Sequence, residues 1–164
     1  MKRHTGMIVA FMLAALVALF IASAWFTHRA EPYPFRCATF NRYDLSRNEG
    51  KRLEYAVTQD LRFLSKNSGY LLINGQATNG DVDTILNRRI ILTQGERIDG
   101  NTYRYQINKV VTSSTDTTPD GMFNALLAEL TLDPSYLQLD IVNVDEKTYL
   151  MSGPLSYLFT CQGY

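Results

Sequence analysis

The chain opens with an unbroken apolar run and then changes to an alternating pattern. Residues 7–26 contain no charged residue and one polar residue, Ser23. A helix rises about 1.5 Å per residue, so twenty residues span about 30 Å, which is the thickness of the hydrocarbon core of a bilayer. The pattern predicts a single transmembrane helix over residues 7–26, preceded by a short terminus, residues 1–6, and followed by a linker, residues 27–34.

Beyond the linker, apolar residues recur at every second position, as in strands with one buried face. The clearest runs are Leu53–Thr58, in which Leu53, Tyr55 and Val57 are apolar, and Tyr103–Asn108. Turn signals separate such runs at Ser46–Gly50, Lys66–Gly69, Asn79-Gly80, Asp99-Gly100, Asp145-Glu146 and Ser152–Pro154. Residues 35–164 are therefore predicted to form a mainly β domain, an antiparallel meander of about eight strands.

Two Gly-containing pairs allow more specific predictions. Asp99-Gly100 lies between two alternating runs, which predicts a two-residue type I′ hairpin turn. Asn74-Gly75 could form a second hairpin turn or a bulge within a strand, and the bulge is favoured.

One segment has helical spacing instead. Thr118 and Pro119 offer an N-cap and a first-turn proline, Asp133-Pro134 ends the pattern, and the apolar positions between them are Met122, Phe123, Leu126, Leu127 and Leu130. We expect one short helix whose apolar stripe covers or plugs the sheet, rather than binding a partner.

The two ends of the β domain have matching faces. Phe35 shares a strand face with Cys37, and Tyr157 and Phe159 share one with Cys161. If these faces are buried side by side, the first and last strands close the meander into a barrel or half-barrel. An even cysteine count outside the cytoplasm then favours a Cys37–Cys161 disulfide. Two buried free thiols are the alternative.

The fate of the apolar run decides where the domain resides. Ala22-Ser23-Ala24 fits a signal-peptidase site, so cleavage after Ala24 would release the domain. However, the run is longer than a signal core and continues into Trp25 and Phe26, which suit a membrane interface. We expect an uncleaved membrane anchor, with Trp25, Phe26, Arg3 and Arg29 at its interfaces. The basic start directs the N-terminus to the cytoplasm and the β domain to the outer side of the membrane.

Charge argues against nucleic acid as a partner. Lys2, Arg3 and Arg29 precede residue 31, and none of the 16 Asp and Glu residues does, so residues 31–164 carry a net charge of −3 against an even balance for the whole chain. Binding nucleic acid requires a concentrated positive surface.

Candidate chemistry is sparse. The two histidines, His4 and His28, flank the predicted span, so the β domain has no imidazole base or metal ligand. Asp81 and Asp83 lack the further ligands of a calcium loop. Arg88 and Arg89 should point to opposite faces, and Asp140 should be solvated. We expect no enzyme, metal or cofactor site; a hydrolase based on paired carboxylates remains the alternative.

Tyrosine is the one abundant residue type that suits a cavity or an interface. Ordinary cross-strand packing explains it too, and the sequence does not choose between the two. The tyrosines spread over the predicted strands are Tyr43, Tyr55, Tyr70, Tyr103, Tyr105, Tyr136, Tyr149 and Tyr157.

The chain resembles the FidL-like inner-membrane proteins of enteric bacteria. The resemblance rests on the basic start with its anchor and on the stretches Phe40–Leu45, Gly69–Gly75 and Gly153–Cys161. It implies a non-enzymatic companion of a ToxR-type regulator, which has a cytoplasmic winged-helix domain, one span and a periplasmic domain. It also implies a heterodimer through a lipocalin-like barrel shared by both chains, which stabilises the regulator or senses a small amphipathic ligand such as a bile salt. A self-sufficient periplasmic carrier of an apolar ligand is the alternative, and no binding residue is implied.

Overall fold

A computed structural model describes residues 12–19, 33–46, 52–154 and 156–164. The chain divides into two units, Met1–Pro32 and Tyr33–Tyr164. In the first unit, residues 12–19 form helix α1 inside the predicted span. Within the described ranges, no helix has the length and apolar character that crossing a bilayer requires. The rest of residues 7–26 lies outside these ranges, as do Arg3, Ala24, Trp25, Phe26 and Arg29, so the span and its anchors stay predictions.

The second unit is a closed antiparallel barrel. Each strand pairs with the next, and β8 returns to pair with β1, which confirms the predicted mainly β meander. Its elements are β1 Phe35–Asp44, β2 Leu53–Ser65, β3 Ser68–Asn79, β4 Val82–Arg97, β5 Thr102–Thr112, α2 Asp120–Leu130, β6 Tyr136–Asp145, β7 Thr148–Ser152 and β8 Tyr157–Gly163.

Side chains on the inner strand faces fill the barrel. The predicted alternation is confirmed where it is clearest, because Tyr55, Val57, Tyr103 and Tyr105 are buried while Thr58 is exposed. Phe63 and Tyr105 stack with ring centroids 4.5 Å apart. Large apolar side chains such as these pack a small barrel to the density of a protein interior.

Helix α2 covers one end of the barrel, as its apolar stripe predicted. All five stripe residues are buried, and the Tyr55 hydroxyl donates a 2.7 Å hydrogen bond to the Met122 carbonyl oxygen. The predicted N-cap is wrong: Pro119 occupies that position without a side-chain cap. The Thr118 hydroxyl instead bonds the Ile85 carbonyl oxygen on β4, at 3.0 Å, because the segment before α2 runs along that strand.

Two turn predictions are wrong in detail. The β4–β5 hairpin exists, but its loop spans residues 98–101 and neither Asp99 nor Gly100 has the positive φ that a type I′ turn needs. Asn74-Gly75 lies inside β3, as favoured, yet the β2–β3 and β3–β4 ladders are regular there, so there is no bulge. Gly75 is needed for a different reason: a Cβ atom at this position would lie 2.1 Å from the Ala56 carbonyl oxygen.

We predict that Gly75→Ala lowers the free energy of unfolding by about 1–3 kcal/mol, the usual range for overpacking. The added methyl group meets β2 backbone, which cannot move without breaking its ladder. Denaturant titration of the full chain in detergent measures the loss. Gly100→Ala is the matched control, because a Cβ atom there has no neighbour within 4 Å. Equal midpoints for the two variants would contradict the prediction.

Candidate functional site

The seam between β1 and β8 is short and leaves a strand edge free. β1 pairs with β2 along its whole length, Phe35 to Asp44. Its ladder with β8 contains two pairs, Cys37–Gly163 and Ala38–Gln162. Beyond Ala38, no strand among the described residues pairs with the edge of β1 that faces away from β2. We call residues 39–44 the free edge of β1.

A disulfide lies where this seam ends. Cys37 and Cys161 are bonded, with their Cα atoms 5.5 Å apart, as the sequence predicted. Both side chains are buried, together with Phe35 and Phe159. The bond therefore holds the first and last strands together next to the point at which they diverge.

Tyr157 does not follow the predicted face. It was expected to be buried with Phe159 and Cys161, but it is 55% exposed. The ladder between β7 and β8 shifts between Met151 and Ser152, so Met151 pairs with Phe159 while Ser152 pairs with Tyr157. The extra residue, Leu158, reverses the direction in which Tyr157 points.

The inner side of the free edge carries a polar cluster. Gln59 on β2 is 1% exposed, and its Oε1 accepts hydrogen bonds from Asn41 Nδ2, at 2.7 Å, and from the Tyr43 hydroxyl, at 3.0 Å. Burial raises the pKa of Tyr43 and outweighs the opposing hydrogen bond to Gln59, so the phenol stays a neutral donor. Gln59 Nε2 has no hydrogen-bond partner among the described residues. A buried donor without an acceptor costs free energy, which an incoming acceptor would recover.

Two exposed aromatic side chains flank the free edge. Phe40 points outward from β1 and is 60% exposed. Tyr157 lies at the start of β8, across from the free edge where β1 and β8 diverge. It is exposed, and its hydroxyl lies 2.9 Å from Thr160 Oγ1. Exposed aromatics beside an unpaired edge mark an interaction surface more often than a solvated wall.

A half-open pocket of about 680 Å³ lies between the end of β1 and helix α2. Its apolar lining includes Leu45, Leu53 and Met122, while Asp44 and Glu129 add carboxylates. Hydrogen bonds from Ser46 hold the pKa of Asp44 below its usual value, so this side chain is ionised at neutral pH.

The eight tyrosines lie in different environments. Tyr43 and Tyr157 lie at the free edge. Tyr55, Tyr103 and Tyr105 belong to the core, and Tyr149 packs edge-on against Phe35, 4.9 Å between centroids. Tyr70 and Tyr136 lie against arginines on the outer wall.

The candidate charged residues do not converge. Arg88 is buried beside Asp116 and Asp120, whereas Arg89 is exposed on the outer face, as their adjacent positions predicted. Asp83 accepts a 2.7 Å hydrogen bond from Thr78 and Asp81 lies in the β3–β4 turn. Asp140 is half-buried in register with Thr102 and Ser152. Over the described ranges, no three His, Cys, Asp or Glu residues come close enough together to hold a metal ion.

The sequence did not locate the free edge, although one signal pointed to it. Phe40 lies at an even position of β1, opposite the face of Phe35 and Cys37, so its outward direction could be read from the alternation. Nothing in the periodicity indicates how far the β1–β8 ladder extends, because either strand has the same pattern whether paired or free.

Comparison with known proteins supports a family assignment. Residues 75–161 match the family described as FidL-like putative membrane protein. The match runs from the middle of β3 to Cys161 on β8, more than half of the chain, and it includes the Gly153–Cys161 stretch but not Phe40–Leu45. No curated protein matches the chain. The chain belongs to the FidL-like membrane protein family.

Proposed function

We propose that the barrel binds an extended segment of the periplasmic domain of a ToxR-type, single-span regulator along the free edge of β1. The observation that carries this proposal is the edge of residues 39–44 that faces away from β2, which pairs with no described strand and is flanked by exposed Phe40 and Tyr157. The proposed complex is a heterodimer. In it the protein stabilises the regulator, or senses a small amphipathic ligand together with it, and catalyses no reaction.

Strand addition suits this edge physically. An unpaired edge offers backbone donors and acceptors in a row, and natural proteins usually protect such edges with proline, lysine, a bulge or a covering segment. Residues 39–44 contain no proline or lysine, their ladder with β2 has no register shift, and their two charges, Arg42 and Asp44, have opposite signs. An added strand would gain main-chain hydrogen bonds, while Phe40 and Tyr157 would contribute side-chain contacts.

The family and the disulfide support the cellular setting of this proposal. A disulfide persists in an oxidising compartment such as the bacterial periplasm. In the proposed arrangement, residues 7–26 hold the chain in the inner membrane, with the N-terminus in the cytoplasm and the barrel in the periplasm.

The test is co-purification of the full-length chain, in detergent, with the regulator encoded beside it. We predict that Phe40→Lys reduces recovery of the regulator at least tenfold, because a charge replaces the apolar contact beside the edge. Ile85→Lys is the matched control, since Ile85 is similarly exposed, 54%, on the outer face of β4. A wild-type chain that elutes alone, or equal recovery with both variants, would contradict the proposal.

A second candidate is binding of a small amphipath in the pocket beside helix α2. The volume and apolar lining favour it, but ionised Asp44 beside the acidic residue Glu129 disfavours an anionic ligand such as a bile salt. A neutral or cationic amphipath fits better. Binding of such a ligand by the chain without the regulator, unchanged in Phe40→Lys, would support this candidate over strand addition.

A further inference from the structure

Four cations line one end of the barrel's outer wall. Arg36, Arg62, Tyr70, Ile91 and Lys109 follow one another in register across strands β1 to β5. The next row across the same strands is Ala38, Asp60, Leu72, Arg89 and Val111. We call these two rows, together with the C-terminal Tyr164, the cationic face.

Contacts within the cationic face leave most of its charge available. Asp60 is its one acidic side chain, and it pairs with Arg62 at 2.7 Å. No ion pair to Arg36, Arg89 or Lys109 occurs within the described part of the chain, and all three are exposed. The side chains of the face therefore carry a net charge of about +3, which comes from these three cations.

Aromatic rings lie between these charges. The Arg62 guanidinium lies 5.6 Å from the ring centroids of both Tyr70 and Tyr164, and the Arg89 guanidinium lies 5.0 Å from that of Tyr70. Tyr164 is 58% exposed and Val111 is 42% exposed. Guanidinium groups that lie over aromatic rings, with aliphatic side chains between them, form an amphipathic surface of the kind found at membrane interfaces.

The same wall reverses its charge at its other end. The row nearest helix α2 consists of Asp44, Glu54, Thr78 and Asp83, in register across β1 to β4. Arg52 offsets part of this charge by pairing with Glu54 at 2.7 Å. On the β1 to β4 wall, the three acidic side chains of this row outnumber Arg42 and Arg52, so the acidic and cationic side chains of this wall are concentrated at opposite ends, with the cationic rows where β1 begins.

A short linker joins the predicted span to this cationic end of the barrel. β1 begins at Phe35, directly before Arg36, and the predicted span ends at Phe26. Eight residues, 27–34, extend at most about 28 Å at about 3.5 Å per residue. The linker therefore joins the barrel at the end of β1 that carries the cationic face, and the acidic row is at the other end of that strand.

We infer that the cationic face docks on the anionic phospholipid headgroups of the bilayer that holds the predicted span. Each cation close to an anionic leaflet is attracted to it, and the attraction falls off within about a Debye length, about 10 Å. The inference rests on the predicted span but not on binding of a regulator, because the cationic face and the free edge of β1 consist of different residues.

The experiment reconstitutes the full-length chain in nanodiscs of phosphatidylcholine alone or with phosphatidylglycerol. Mass spectrometry then measures the rate at which an amine-reactive reagent labels Lys109, divided by the rate at which it labels a free lysine derivative added to the same sample. We expect phosphatidylglycerol to slow Lys109 labelling at least threefold on this scale, and high salt to reverse the protection.

A variant pair identifies the charges responsible. Arg89→Glu should restore Lys109 labelling in phosphatidylglycerol, whereas Arg52→Glu, which changes an exposed arginine beside the acidic row, should not. Equal labelling in both lipids, or protection that survives Arg89→Glu, would overturn the inference. Protection that appears only when the regulator is added would also overturn it and assign the face to a protein. If the full-length chain did not enter nanodiscs, the predicted span would be wrong and the inference that rests on it would fail too.

Discussion

The double variant Cys37→Ser/Cys161→Ser is expected to lose about 2–5 kcal/mol of unfolding free energy, the usual effect of removing a native disulfide. The bond closes a loop between residues 124 apart in sequence, and two β1–β8 pairs are all that close the barrel beside it. Losing the bond therefore frees the unfolded chain and weakens the seam at the same time. Denaturant titration of the full chain in detergent measures the effect.

Controls separate the covalent bond from the buried side chains. Cys37 and Cys161 are 1% and 2% exposed, so serine also buries two hydroxyl groups. Cys37→Ala/Cys161→Ala avoids that cost, and the reduced parent chain keeps both sulfur atoms. All three proteins should be less stable than the oxidised parent, with serine the least stable. A reduced parent as stable as the oxidised one would show that the bond does not hold the seam.

Arg88→Met is expected to lower the free energy of unfolding by about 3–5 kcal/mol, the usual cost of leaving a buried charge unpaired. The Arg88 guanidinium bonds Asp116 at 3.2 Å, bonds Asp120 at 2.7 Å and lies 4.7 Å from the Phe123 ring centroid. The Asp116 side chain is 2% exposed, so removing its partner strands a buried carboxylate. Because this group fixes the segment before helix α2, the start of the helix should loosen as well.

Two further variants test that explanation. Arg89→Met changes an exposed arginine and should alter stability by less than about 0.5 kcal/mol. Arg88→Met/Asp116→Asn removes both charges and should recover part of the loss. If Arg88→Met and Arg89→Met were equally stable, the buried ion pair would not hold helix α2.

The pH dependence of stability has a definite sign at this pair. Burial acts to raise the pKa of Asp116, but hydrogen bonds and the charge of Arg88 outweigh it and leave that pKa below its usual value. A lowered folded-state pKa stabilises the protein above the unfolded pKa, about 3.9, and that contribution disappears as pH falls through the folded value. In Arg88→Met the pKa of Asp116 should rise, so this acid-induced loss of stability should shrink or reverse.

The sequence predicted the barrel because the first and last strands of the β domain have matching apolar faces. Phe35 and Cys37 on one strand and Phe159 and Cys161 on another could be buried together only if those strands lay side by side. The stripe of α2 was also readable, since five apolar residues at helical spacing require a surface to cover. These features depend on periodicity, which the sequence shows directly.

The features that sequence reasoning missed depend on single-residue register. One extra residue, Leu158, turns Tyr157 outward, and an alternating pattern does not reveal such a shift. The loop after β4 contains four residues, 98–101, and not the two of a tight hairpin turn, because the β4–β5 ladder ends at the pair Arg97–Tyr103. The free edge of β1 was missed for the same reason: the length of its ladder with β8 is set by where the backbones diverge.

Amide hydrogen exchange of residues 39–44 tests the central proposal most directly. The full chain is measured alone and in complex with the regulator encoded beside it. In the chain alone, alternate amides of this stretch should exchange fast, because those directed away from β2 have no strand partner in the described structure. In the complex the same amides should become protected, while those bonded to β2 change little. Unchanged exchange in the complex, or full protection in the chain alone, would contradict strand addition at β1.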